Sequence, residues 1–125
     1  MKNFSGGGAT EEGGQVILRA LDPKTGNRVW QYPMTGLGRM WTGTVATAGG
    51  LLLSGDDDGH LVALDAKTGK NLWYFNMGET LTASPVTYSI DGKQYVAIAS
   101  STAVLAFGLF EPAAGVEPPV IRMRK

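Results

Sequence analysis

The sequence predicts an all-β protein built from short antiparallel strands. Three observations carry that expectation. Glycine makes up 18 of the 125 residues, about twice its usual share of roughly 7 %, and each interior Gly costs a helix roughly 1 kcal/mol relative to Ala. The apolar runs are short and sit between turn signals, with no stretch of amphipathic helical period. Finally, the chain repeats itself. Residues 20–30 read ALDPKTGNRVW and residues 63–73 read ALDAKTGKNLW, with seven of eleven positions identical and an offset of 43 residues.

Taken in order, residues 15–20 and 28–32 form a strand pair around the turn Asp22–Gly26. Residues 43–48, 51–55, 60–64 and 71–76 form four more strands, punctuated by Gly49-Gly50, Asp58-Gly59 and Thr68-Gly69. Residues 85–90, 94–100 and 103–109 form the last three, with Asp91-Gly92 between the first two. Asp-Gly is a strong hairpin signal because Gly supplies the positive φ of a tight reversal. In the repeated unit, Asp22 and Asp65 accept turn amides, Gly26 and Gly69 close the hairpin, and Trp30 and Trp73 offer flat apolar surfaces. A large aromatic at a fixed place in each unit suits a spacer between packed sheets.

A period near 43 lies in the range of β-propeller blades, each a four-stranded antiparallel sheet. A third copy begins at Ala106-Phe107-Gly108 but has lost its Asp and the remainder of the unit. The expected organisation is a flexible Gly-rich lead-in at 1–14, a partial propeller at 15–109 and a Pro-containing basic tail at 110–125. The propeller part holds two strands of one blade, a complete blade and three strands of another.

Eleven basic and eleven acidic residues leave no net charge, so nothing draws the whole chain to nucleic acid or an anionic membrane. With no Cys, disulfides, thiolate zinc, iron–sulfur clusters and c-type haem attachment are excluded. No apolar stretch approaches the roughly 20 residues of a membrane span, and the first 14 residues lack the apolar core of a signal peptide.

The ALDxKTGxxLW repeat resembles the tryptophan-docking motif of eight-bladed quinoprotein dehydrogenases, which use pyrroloquinoline quinone (PQQ). Residues 41–50, WTGTVATAGG, are similar to that family's WxGTxATAGG stretch. Residues 55–65, GDDDGHLVALD, resemble its next hairpin, and residues 84–97, SPVTYSIDGKQYVA, its closing segment. The resemblance is to the family's C-terminal part. It implies a periplasmic enzyme that oxidises an alcohol or sugar, with calcium or a lanthanide polarising the quinone, an Asp as base and a cytochrome as electron acceptor. The metal ligands and the base come from earlier blades of the family and have no counterpart here, so the chain is expected to bind no cofactor tightly and to be inactive alone. By position Trp41 matches a Trp at the quinone site, and its glycine-rich surroundings suit stacking on a flat ligand. Arg39 lies near it and suits a cofactor carboxylate.

Other candidates read as structural. Asp56-Asp57-Asp58 is a carboxylate cluster without the longer spacing of a calcium loop, and is expected to be a solvated hairpin tip. His60 is the single His, with no companion for a metal site or a Ser–His pair, and is expected on a strand surface. Ser100-Ser101-Thr102 reads as a polar hairpin turn. Gly6-Gly7-Gly8 lacks the context of a phosphate loop. The second functional expectation is a non-enzymatic propeller module for assembly. Its partners are the missing N-terminal blades or a second copy, engaged through open strand edges.

Overall fold

The computed structural model describes residues 15–36 and 42–109; the expected lead-in, the tail, Arg39 and Trp41 lie outside them. Among the described residues there are nine strands: β1 (Ile17–Leu21), β2 (Arg28–Pro33), β3 (Thr44–Ala46), β4 (Leu51–Gly55), β5 (His60–Asp65), β6 (Asn71–Asn76), β7 (Val86–Ile90), β8 (Lys93–Ala99) and β9 (Val104–Gly108). They form three antiparallel meanders, β1-β2, β3-β4-β5-β6 and β7-β8-β9. The fold is all-β, as the turn chemistry requires.

β3 is shorter than the expected 43–48 because Thr47 turns the chain. Its amide donates to the Leu51 carbonyl at 2.8 Å, and its side-chain oxygen accepts the Leu51 amide at 3.1 Å. The β7–β8 reversal has positive φ at both Asp91 (51°) and Gly92 (76°), the backbone of a two-residue type I′ hairpin.

β5 explains the layering. Alternate residues of a strand point to opposite faces, and here both faces are covered. Leu61 and Ala63 join Leu53, Leu81 and Ile98 in one buried cluster, against Val96 and Phe107 of the third sheet. Val62 and Leu64 join Trp30 and Met34 in another, against Leu18 and Tyr32 of the first sheet. A strand covered on both sides reads as an unbroken apolar run, which is why residues 61–64 show no alternation.

The repeated turn works as a joint between sheets. Asp65 accepts the amides of Lys67 (3.1 Å) and Thr68 (2.8 Å) and the Thr68 hydroxyl (2.8 Å). The Thr68 hydroxyl is the main cause holding the Asp65 carboxyl below its ordinary pKa. Gly69 closes the turn at φ 71°. Trp30, on the neighbouring sheet, lays its ring on Gly69 so closely that a Cβ there would stand 2.6 Å from ring carbons. Its indole N–H donates to the Ala66 carbonyl at 3.0 Å. Trp73 holds the same place one repeat later, but the positions equivalent to Ala66 and Gly69 are now Leu109 and Pro112. It packs instead on Phe107 (5.4 Å between ring centroids) and Phe75 (6.2 Å). A cavity of about 460 Å³ lies beside it, lined by Leu53, Leu61, Ala63, Val96 and Phe107 among others.

Candidate functional site

One end of the sheets gathers the polar loops. The second sheet contributes the β4–β5 hairpin, the β6–β7 connection arrives beside it, and the β8–β9 hairpin closes the far side. Asp56 is 3 % exposed and Asp57 is half-buried, leaving only Asp58 of the three in solvent. The solvated tip expected at 56–58 is therefore corrected for Asp56. A buried carboxylate needs donors, and it has them. Thr35 donates its hydroxyl at 2.5 Å, the His60 amide donates at 2.7 Å, and His60 Nδ1 stands 3.1 and 3.2 Å from the two carboxylate oxygens.

His60 is likewise not the plain surface residue expected. Its Nε2 lies 3.0 Å from Asn76 Nδ2, while Asn76 Oδ1 accepts the Gly78 amide at 2.7 Å. With its oxygen taken, Asn76 presents N–H to His60, so Nε2 accepts and Nδ1 carries the proton toward Asp56. The ring also meets Tyr74 edge-on at 6.0 Å. Thr35 Oγ1 is 3.2 Å from His60 Nδ1, a hydroxyl, imidazole and carboxylate in one cluster. It is not a nucleophilic arrangement, because the hydroxyl gives its proton to Asp56 and the imidazole nitrogen beside it is a donor.

The turn expected at 100–102 is present, with a partner the sequence did not suggest. Glu79, on the β6–β7 connection, accepts the hydroxyls of Ser100 (2.5 Å), Ser101 and Thr102 (2.7 Å). These three hydrogen bonds, Ser100's first, hold its carboxyl at a pKa of about 2, below its ordinary 4.5. The adjacent Leu81 bridges to Ser100 and is fully buried. Glu79 therefore latches the connection between the second and third sheets to the last hairpin.

Arg39 and Trp41 lie outside the described residues; the described residues on either side of 37–41 are at this same end. On one side a Cβ at Gly36 would fall on the Cβ of Asp57. On the other, the Thr42 hydroxyl donates to the Gly55 carbonyl at 2.7 Å and the Gly43 amide to Ser84 Oγ at 2.8 Å. Thr35, Asn76 and Glu79 are the members of this end that sequence reasoning missed. Their partners are 16 to 25 residues away, and no local spacing marks them. Among the described residues no three His, Asp or Glu side chains are grouped to hold a metal ion, and no helix is long and apolar enough to cross a membrane.

Comparison with known proteins gives the fold its context. The PQQ_2 family model, described as outer membrane protein assembly factor BamB, matches residues 13–108. Quinoprotein alcohol dehydrogenase PedE of Pseudomonas putida is 43 % identical over 85 residues, covering 65 % of this chain and 12 % of that enzyme. The solved quinohemoprotein alcohol dehydrogenase of Comamonas testosteroni superposes with a TM-score of 0.64 at 35 % identity, over 72 % of this chain and 13 % of that one. A europium-containing methanol dehydrogenase superposes with a TM-score of 0.59 at 40 % identity, over 66 % and 14 % respectively. The chain thus spans about an eighth of the length of the relatives it matches. It belongs to the PQQ_2 family of β-propeller repeats, and its relatives there are quinoprotein alcohol dehydrogenases.

Proposed function

We propose that the chain is the C-terminal portion of a PQQ-dependent dehydrogenase acting on alcohols or sugars in the periplasm. Its part is the propeller scaffold and one wall of the quinone site. The observation that carries the reading is the single co-linear match to quinoprotein alcohol dehydrogenases, confined to 12–14 % of their length. Trp41 stacks on the quinone and Arg39 faces one of its carboxylates. The described flanks support this reading: Gly36 lies against Asp57 and the Thr42 hydroxyl donates to the Gly55 carbonyl, both at the polar end of the sheets. Bound PQQ with calcium or a lanthanide would supply the oxidising chemistry, and a cytochrome would take the electrons. The metal ligands and the base belong to blades outside this sequence, so the chain alone transfers no hydrogen. Dye reduction with ethanol, PQQ and Ca²⁺ or a lanthanide tests this. The chain by itself is expected to give a flat trace, and sustained turnover would overturn the reading.

A second reading is a non-enzymatic propeller module for assembly. It is favoured by the two- and three-stranded first and third sheets, whose outer strands pair with no further strand among the described residues.

A further inference from the structure

The described residues on either side of 37–41 meet one hairpin, and three consecutive residues of it make the contacts. Asp56 accepts the Thr35 hydroxyl at 2.5 Å. Asp57 lies so close to Gly36 that a Cβ there would stand 2.5 Å from the Asp57 Cβ. The Gly55 carbonyl accepts the Thr42 hydroxyl at 2.7 Å. A Cβ at Gly55 would stand 2.9 Å from Thr42 Cγ2 and 2.8 Å from Leu81 Cδ1, so the backbone is bare where Thr42 arrives. The hairpin is held from behind as well. The His60 amide and Nδ1 face the Asp56 carboxylate, and Asn76 meets the other ring nitrogen. Asn76 also caps the Gly78 amide, and the Met77 amide donates to the Gly59 carbonyl at 2.8 Å. One run of polar contacts therefore joins Thr35, through Asp56, His60 and Asn76, to the connection that Glu79 ties to the third sheet.

We propose that Asp56 is a positioning residue of the quinone wall, and that residues 55–57 clamp the two ends of the segment carrying Trp41. This rests on the quinone reading above and deepens it. An ionised carboxylate only accepts, and every group aimed at this one donates. Such charge-assisted hydrogen bonds are roughly twice as strong as neutral ones, and burial keeps water from competing for them. Because the three gripping residues are consecutive, the flanks cannot shift independently. Five residues between two fixed points have few arrangements, which is what an aromatic held for stacking requires. Asp58, the exposed third carboxylate, makes neither flank contact among the described residues.

The test uses two near-isosteric substitutions in the full chain. Asp56→Asn places an amide N–H where the donors converge. Thr35→Val removes one hydroxyl from an exposed residue, and keeps the test open if Asp56→Asn fails to fold. Labelling with 5-fluorotryptophan gives three fluorine NMR lines, one for each Trp, and Trp41→Phe identifies the line of Trp41. Both variants should move that line toward its position in urea while the Trp30 and Trp73 lines stay in place. Asp58→Asn should move none. A Trp41 line indifferent to both variants overturns the proposal. So do three lines moving together, the mark of a general loss of structure. The second readout is quinone affinity in the Pseudomonas putida enzyme carrying residues 13–108 of this chain. There Asp56→Asn should weaken binding by about 3- to 10-fold, the worth of one aromatic stacking contact. Affinity that falls with Trp41→Ala but not with Asp56→Asn overturns the positioning role. Affinity indifferent to both defeats the quinone reading instead, and leaves standing a clamp that the fluorine lines have shown.

Discussion

Substituting Ala at Gly69 and at Gly26 isolates the energy of the joint between the first two sheets. The two turns share their backbone: φ is 71° at Gly69 and 72° at Gly26. The closing hydrogen bonds also match, with Gly69 to Asp65 at 2.8 Å and Gly26 to Asp22 at 2.7 Å. An L-residue in this left-handed region costs roughly 1–2 kcal/mol at either place. Among the described residues nothing lies within 4 Å of a Cβ at Gly26, so the turn strain is the cost expected there. At Gly69 the new methyl stands 2.6 Å from the Trp30 ring, well inside the roughly 3.5–4.0 Å of carbon contact. The ring must withdraw, at an overpacking cost of about 1–3 kcal/mol, and its bond to Ala66 adds about 1 kcal/mol when stretched. Gly69→Ala is therefore expected to lose about 2–4 kcal/mol more than Gly26→Ala. Urea denaturation followed by tryptophan fluorescence reads both losses. Equal losses, within about 0.5 kcal/mol, would refute the reasoning, because the strain would then be only that of the turn.

The other expectations can be measured on the same protein. Trp30→Ala should cost about 3–5 kcal/mol, as it removes a ring only 8 % exposed together with its hydrogen bond. Trp73→Ala should cost clearly less, since that ring is half-buried beside a cavity; comparable midpoints in urea would contradict this. Glu79 has a folded pKa of about 2 against an ordinary 4.5, so the unfolded chain binds the extra proton between those values and stability falls as pH drops through that window. Thermal midpoints from pH 5 to pH 2 should fall more steeply for the unsubstituted chain than for Glu79→Gln, and parallel curves would contradict the latch. Asp56→Ala strands the Thr35 hydroxyl and the His60 amide, a loss of about 1–3 kcal/mol, whereas Asp58→Ala should leave the urea midpoint unchanged.

What the sequence reveals and what it hides divide along physical lines. The strands were legible because turn residues carry local backbone demands: Asp91-Gly92 needs positive φ and Leu51–Gly55 lies between two such reversals. The Trp30 joint was legible because the eleven-residue unit occurs twice with seven positions identical. The polar end was not. Asp56 looks like the first residue of an acidic tip, and its burial is decided by Thr35, which arrives from 21 residues upstream. Glu79 carries no motif, and its three hydroxyl partners are defined only once β8 and β9 pair beside it. Nor does Trp73 differ from Trp30 in its own repeat. What differs is the third repeat, where the turn that should receive it has been replaced.

The most direct measurement is a graft. Residues 13–108 replace the matching segment of the Pseudomonas putida quinoprotein alcohol dehydrogenase, and PQQ-dependent dye reduction with ethanol is followed. If these sheets are a quinoprotein scaffold bearing one wall of the quinone site, the graft turns over, and Trp41→Ala within it binds the quinone roughly 3- to 10-fold more weakly, the loss of one aromatic stacking contact. A graft that folds and carries the metal yet shows no quinone-dependent turnover, or one indifferent to Trp41→Ala, would contradict it.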